Sequence, residues 1–344
     1  MIHLTKLFLI MLISIVFKTT MYGQQNTDSI RLVNEALKMI EFPEPEFKSP
    51  FVPNLDAKAI ADMGFDQPYQ SEVISYKMRD GVQIHGQEYE HDSNKTVLLL
   101  HGTLASSYTY NKMSGLLREA TQAKVIAVDL RGHGQSKGIA GDITTLNQYA
   151  EDLDDLISAI KKENPNEVII VAGHSMGGGI VLRHAETFSD TDIDAYVLFA
   201  PNLGNNAPTV SQELNLKSNF IKTHLSRGLG LRVLNEFGIH TYDSLNVVYY
   251  NLPEQMPIRS YSYRSMQASF PKNYGKALRG ITKPMLVLVG SNDEAFIAEE
   301  YPTLIKANSI GDVFVAEGES HNGIRHNKEA MDKVRDWVTV NKLK

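Results

Sequence analysis

The sequence predicts an α/β fold in which a mostly parallel sheet is covered by helices on both faces. Three observations carry that reading. Short, wholly apolar runs recur along the chain, amphipathic helical patterns separate them, and one run ends in a glycine-bracketed serine followed at once by a small-residue helix. A strand buried on both faces has no polar side, so it reads as a continuous apolar run, and parallel neighbours need a long, usually helical, crossover between them.

The 344-residue chain opens on Met1–Lys6, which carries one lysine, and continues into Leu7–Phe17, an uncharged run broken only by Ser14. This is the order of an export signal over residues 1–23, and the run is shorter than the roughly 20 apolar residues a spanning helix needs. Gly23 supplies a small residue at the cleavage point, while Met21 stands where another is usual. The expected location is therefore periplasmic or secreted, with anchoring by an uncleaved N-terminal segment as the alternative.

Residues 24–70 are expected to form an irregular leader, since Pro43, Pro45, Pro50, Pro53 and Pro68 interrupt any period. Glu72–Met78 and Val82–Glu90 flank Arg79-Asp80-Gly81 and predict an antiparallel edge hairpin. The buried strands follow at Thr96–Leu100, Val125–Asp129, Val168–Ala172, Ala195–Ala200, Met285–Val289 and Val313–Ala316. Leu146, Tyr149, Ala150, Leu153, Leu156, Ile157 and Ile160 recur at helical spacing, and further helices are predicted over Met176–Glu186, Ile297–Lys306 and Lys328–Val340. Residues 202–280 break the alternation. They are too long for a loop and carry mainly helical patterns, which predicts a helical lid inserted into a core of residues 71–201 and 281–344.

Composition excludes several functions. At 42% hydrophobic and 22% charged residues the chain is an ordinary globular sequence, and its net charge of −6 argues against a nucleic-acid surface. With no cysteine there is no disulfide, thiolate zinc site, iron–sulfur cluster or cysteine nucleophile. No P-loop, H-E-x-x-H or EF-hand pattern occurs, and Gly228-Leu-Gly230 lacks the third glycine and the preceding strand of a dinucleotide fingerprint, so it reads as helix-breaking within the lid. No cofactor or metal is expected.

Gly173-His174-Ser175-Met176-Gly177 fits G-x-S-x-G, a pattern weak alone but here placed between a buried strand and a helix. A neutral serine hydroxyl needs an adjacent base, itself oriented by a third group. The base and acid should follow at later strand ends in the order acid, then histidine. Asp293 lies just after the run ending at Val289, and His321 just after the run ending at Ala316. Glu294 is the rival acid and His326 the rival base, the latter expected on the solvated surface. The oxyanion donors are expected at the amides of Met176, next after the nucleophile, and Thr103, with Leu104 second, in the loop His101-Gly102-Thr103-Leu104. His101 is expected to make a structural hydrogen bond.

Taken together, His101-Gly102, the segment Asp129–Ser136, Gly173–Gly178, Asp293 and His321 resemble the α/β-hydrolase superfamily, and most nearly its monoacylglycerol lipase and lysophospholipase branch. The resemblance runs from about Glu72 to Val340 and is weak through the lid. It implies an eight-stranded sheet, a Ser-Asp-His triad, two backbone amides for the oxyanion and no cofactor. It also implies a structural rather than catalytic role for Asp129, Arg131 and His133.

The implied reaction is cleavage of a carboxylic ester, either a monoacyl lipid or an ester of short to medium acyl chain. Amide, aminopeptidase, C–C hydrolase and acyltransferase chemistry on the same triad, or a non-catalytic ligand-binding module, are the alternatives. Residues 202–280 hold nine basic and four acidic residues, a positive surplus in an acidic chain that could steer anionic esters, and contact with a membrane surface through the lid or a retained N-terminus is a further expectation.

Overall fold

The computed structural model describes residues 24–52, 56–188, 190, 192–211 and 218–343, and the predicted export signal lies outside them. Among the described residues no helix is long and apolar enough to cross a membrane. The described residues divide into a smaller unit, within 24–45 and 224–243, and a larger one, within 46–223 and 244–343.

The strands, in chain order, are β1 (Glu72–Lys77), β2 (Gln83–Tyr89), β3 (Lys95–Leu100), β4 (Lys124–Val128), β5 (Val168–His174), β6 (Ala195–Phe199), β7 (Ile221–Thr223), β8 (Asn246–Tyr250), β9 (Ser260–Ser262), β10 (Met285–Gly290) and β11 (Asp312–Ala316). The helices are α1 (Gln24–Ile40), α2 (Ala57–Met63), α3 (Asn111–Thr121), α4 (Gln148–Glu163), α5 (Met176–Thr187), α6 (Leu225–Glu236), α7 (Tyr263–Ala268), α8 (Tyr274–Gly280), α9 (Glu300–Asn308) and α10 (Lys328–Val340).

In the larger unit eight strands form one sheet in the order β1-β2-β4-β3-β5-β6-β10-β11. The hairpin β1–β2 joins antiparallel to β4, and every pairing from β4 through β3, β5, β6 and β10 to β11 is parallel. The pleat sends alternate residues to opposite faces. Leu98 and Leu100 enter a layer with Val171, Leu198, Val287 and the helices α4, α5 and α8, whereas Val97 and Leu99 enter one with Ile170, Val197, Leu288, α3 and α10. Each fully buried aliphatic side chain here contributes roughly 1.5–3 kcal/mol, which makes the centre of the sheet a rigid platform. At the hairpin turn Gly81 takes φ +86°, and Asp80 reaches Arg131, which also grips Asp152 through two nitrogens at 2.8 and 2.5 Å.

Three sequence expectations are corrected. The leader is not irregular throughout, because α1 and α2 form within it: Val33, Ala36, Leu37 and Ile40 recur at helical spacing before the first proline, and Asp56 caps α2 by accepting from the amide of Ala59. The insertion is not simply helical. Asn246-Val-Val-Tyr-Tyr250 is β-branched and aromatic, and it forms the centre of a three-stranded antiparallel sheet, β7-β8-β9. The end of the predicted lid is core, since Ala268, Ala277 and Leu278 are buried in the same layer as α5.

In the smaller unit α1 packs on α6, which runs unbroken through Gly228 and Gly230. Gly230 is required by closeness: a Cβ there would lie 2.7 Å from the carbonyl of Ala36 and 2.9 Å from Ile40. The buried Arg227 donates to the carbonyl of Ile40, and the His224 ring lies 3.0 Å from the carbonyl of Phe42.

Candidate active site

The strand β5 ends in the sharp turn that the glycine pattern implies. Ser175 has φ +54° and ψ −117°, a conformation L-residues adopt only where the surroundings impose it. Its amide donates to Phe199 at 2.9 Å, and its carbonyl accepts from Gly179 and Asn202, each at 3.0 Å. The flanking glycines have no room for a side chain: a Cβ on Gly173 would sit 2.6 Å from the backbone of Gly177, and one on Gly177 would strike the carbonyl of Leu100. Ser175 is partly exposed although its neighbours in sequence are buried. Strain is thus held in place by packing, and the hydroxyl is presented outward.

Asp293 and His321 meet beyond the ends of β10 and β11. The Asp293 side chain is fully buried, its Oδ1 accepting from the amides of Ala295 and Phe296 at 2.8 Å each and its Oδ2 facing His321 Nδ1 at 2.8 Å. With a carboxylate opposite Nδ1, that nitrogen carries the ring proton and Nε2 keeps its lone pair. The two loops are stitched together by the Asn292 amide, which donates to Glu319. Glu294 accepts from the His321 main-chain amide at 2.9 Å, so the rival acid holds the backbone of His321 and not its ring. Among the described residues no hydrogen bond joins Ser175 Oγ to His321 Nε2, and in ligand-free hydrolases that contact commonly tightens only with substrate.

The Met176 and Thr103 N–H groups donate to no protein acceptor among the described residues, and Thr103 Oγ1 lies 3.7 Å from Met176 Sδ. Leu104, the second choice, is occupied: its amide donates to Tyr261 Oη at 2.9 Å, which in turn donates to His133 Nε2 at 2.8 Å. A Cβ on Gly102 would lie 3.2 Å from the Cβ of Ser175, so the loop carrying Thr103 passes directly over the elbow.

Two residues that sequence reasoning left without a role join these parts. The Gly102 amide donates to Tyr110 Oη at 2.8 Å, that hydroxyl lies 2.6 Å from His174 Nδ1, and His174 Nε2 lies 2.9 Å from the carbonyl of His321. A carbonyl accepts only, so His174 donates from Nε2 and accepts from Tyr110 at Nδ1. Burial pushes the His174 imidazole well below its ordinary value and keeps it neutral, as this double role demands.

Three further histidines, His101, His133 and His326, are each held below the ordinary value by burial. His101 accepts the Leu130 amide at Nε2 and donates from Nδ1 to the Gly102 carbonyl, and burial lowers it to about 4. His133 is lowered to about 3 by burial and by His101. Asp129 accepts from the amides of Ser107 and Gln135, so it ties down its own loop. His326 is not the solvated surface residue expected: its Nε2 is buried without a partner, and burial lowers it to about 3, because the leader covers that loop. Among the described residues no group of three or more His, Asp or Glu side chains is placed to hold a metal ion.

The family model described as serine aminopeptidase, S33, matches residues 91–312, a span that includes Ser175 and Asp293 and stops short of His321. Similar proteins include the monoacylglycerol lipase of Mycolicibacterium smegmatis, 33% identical over 32% of this chain and 39% of that one, and the bovine (Bos taurus) protein phosphatase methylesterase 1, 30% identical over 26% and 24%. The chain spans less than two fifths of the length of these relatives and of the Bacillus subtilis hydrolase YugF, of which it covers 37%. Among solved structures, the Pyrococcus furiosus esterase superposes with a TM-score of 0.54 at 19% identity, over 86% of this chain and 99% of that one. The α/β hydrolase GrgF of Penicillium gives 0.57 at 15% identity, over 79% and 99%. These neighbours share the fold, and the family match covers more than half of the sequence: the chain belongs to the serine aminopeptidase (S33) family of α/β hydrolases.

Proposed function

We propose that this protein is a serine hydrolase that cleaves carboxylic esters, of a monoacyl lipid or of a short to medium acyl chain. The observation that carries the reading is the strained, outward-facing Ser175 at the end of β5, on the same edge of the sheet as a buried Asp293–His321 pair 2.8 Å apart. In the proposed reaction His321 Nε2 takes the proton from Ser175 Oγ as the oxygen attacks the carbonyl carbon. The amides of Thr103 and Met176 receive the oxyanion, the latter at the start of α5 where unpaired N–H groups favour negative charge. Collapse expels the alcohol, which leaves with the proton returned by His321. Water, deprotonated by the same imidazole, then releases the acid and restores Ser175. Asp293 keeps the ring in the tautomer that can accept at Nε2.

Ester chemistry is preferred to amide cleavage because the named similar enzymes include a lipase and a methylesterase. The positive surplus of the insertion remains a proposed aid to anionic substrates, diminished where it pairs with an acid outside the insertion, as Arg264 does with Asp142. Export and membrane-surface contact remain proposals that rest on the sequence. The test is labelling with a fluorophosphonate, then turnover of p-nitrophenyl esters against aminoacyl anilides. Ser175→Ala is expected to abolish labelling and to lower kcat by at least about 10⁴-fold, with unchanged melting. Labelling that survives in Ser175→Ala would refute the nucleophile, and anilides turned over faster than esters would refute the substrate class.

A further inference from the structure

The leader makes two sets of contacts within the larger unit, the second of them beside the candidate site. The first meets the insertion: Asn251 and Asn219 donate to the carbonyl of Ser49 at 2.7 and 3.3 Å, the Phe51 ring lies 4.7 Å from that of Phe220, and Lys222 sits over Phe47. The second meets the loop that carries His321. Ser320 Oγ donates to Asp62 Oδ2 at 2.7 Å, Lys58 bridges Asp62 and Glu319, and the buried Arg325 guanidinium donates to the Asp62 carbonyl while covering the Tyr110 ring at 4.7 Å. The stretch then continues past the opposite loop, where Gln67 donates to the carbonyl of Tyr108 at 2.8 Å and Tyr69 exchanges two hydrogen bonds with the Asn111 side chain.

These contacts differ in weight. Lys58 is 58% exposed, and such a surface pair contributes little. The Asp62 side chain is only 15% exposed, and its partner Ser320 precedes His321 directly while also accepting the Gly323 amide at 2.9 Å. One hydroxyl therefore ties the chain on both sides of His321 to a carboxylate from the leader. Asp293 fixes the ring and His174 the carbonyl of His321 from inside the core, while Glu294, itself exposed, holds the amide. Beyond the loop itself, Ser320 Oγ has Asp62 as its one hydrogen-bond partner among the described contacts. Both Asp62 and Ser320 lie outside the matched residues 91–312, so the device belongs to this chain rather than to the matched segment.

We propose that the leader is a working part of the site and that Asp62 is a positioning residue, setting through Ser320 the place from which His321 reaches Ser175. The proposal rests on the hydrolase reading above. A misplacement of about 1 Å in a reacting group can cost about 100-fold in rate, so the effect belongs in kcat.

The test uses full-length protein, p-nitrophenyl ester kinetics and fluorophosphonate titration to count active sites, with melting curves to confirm folding. Asp62→Ala and Ser320→Ala are each expected to lower kcat per titrated site by about 10- to 100-fold, with KM within about twofold. Asp62→Asn keeps an acceptor oxygen and is expected to stay within about threefold of the parent, and Asp62→Ala with Ser320→Ala is expected to be no slower than the slower single variant, as one shared interaction requires. Wild-type kcat per site in Asp62→Ala, losses that multiply in the double variant, or Asp62→Asn as slow as Asp62→Ala would each overturn the proposal while leaving the labelled wild type as a hydrolase. A wild type that neither labels nor turns over esters would overturn the hydrolase reading and the proposal with it.

Discussion

Tyr110 links the two halves of the candidate site through a single oxygen. Its hydroxyl receives the Gly102 amide from the loop after β3 and donates to His174, which holds the carbonyl of His321. All three groups are buried, so neither bond exchanges freely with water, and removing the oxygen leaves a donor and an acceptor unpaired at about 1–3 kcal/mol each. Tyr110→Phe is therefore expected to lose about 2–5 kcal/mol of stability in urea unfolding and to lower ester kcat by about tenfold or more, whereas Tyr108→Phe, more than half exposed, should match the parent in both. Equal behaviour of the two variants would show that the relay holds nothing. The candidate nucleophile, acid and base could be located from sequence because each must follow a strand end in a set order. Tyr110 and His174 had no such signal. They are 64 residues apart, and only the crossing of the loop over the elbow makes them partners. Glu294 was visible as a carboxylate, but which of two adjacent carboxylates faces the imidazole is settled by the turn, where Asp293 alone is capped by two amides.

Among the elements, legibility followed burial. The parallel strands β3, β4, β5, β6 and β10 were readable because both faces are covered and each apolar run is short; β11, expected as buried, is an edge strand with Val315 exposed, and α10 was readable because its stripe is sharp. The helices α1 and α3 were missed for different reasons. The proline-rich stretch that follows α1 masked its period, and α3 has three buried polar residues, Asn111, Ser114 and Thr121, that blur its stripe. Helix α6 shows how a glycine pair can mislead: Gly228 and Gly230 read as breakers, yet the helix persists because one of them admits a neighbouring backbone. The two positions should respond oppositely. A Cβ at Gly228 meets nothing within 4 Å, so Gly228→Ala is expected to stabilise α6 by about 0.5–1 kcal/mol. Gly230→Ala must push against the Ala36 carbonyl, and overpacking of that kind costs typically about 1–3 kcal/mol. Hydrogen exchange in α1 and α6 should slow in the first variant and quicken in the second, and the same direction in both would mean that the two helices do not pack as described.

For the molecule as a whole, four histidines make acid the weak side of the stability curve. His101, His133 and His326 are lowered to between about 3 and 4 and His174 also lies well below its ordinary 6.5, chiefly through burial. In the unfolded chain each regains a value near 6.5, so below that pH the unfolded state binds protons that the folded state refuses. The stability they permit is complete above pH 6.5 and is lost progressively as pH falls toward the folded values, at about 1.4 kcal/mol per proton per pH unit. Asp80, Asp142, Asp154 and Glu319 are lowered in the fold as well, but their losses begin only near the ordinary carboxylate values of 3.8 to 4.5. Burial raises the carboxyls of Glu88 and Asp152, whose protonation opposes the loss, so the interval from pH 6.5 to 5 sets a histidine loss of up to four protons against that gain. Urea unfolding across it should weaken with a slope of up to four protons. Replacing His326 by leucine removes one of them without touching Ser175, Asp293 or His321, and it relieves a buried nitrogen that has no partner. That variant should show a slope smaller by up to one proton and a higher midpoint at pH 5, and a parent whose stability is flat between pH 7 and 5 would show that these imidazoles are accessible to protons in the folded protein.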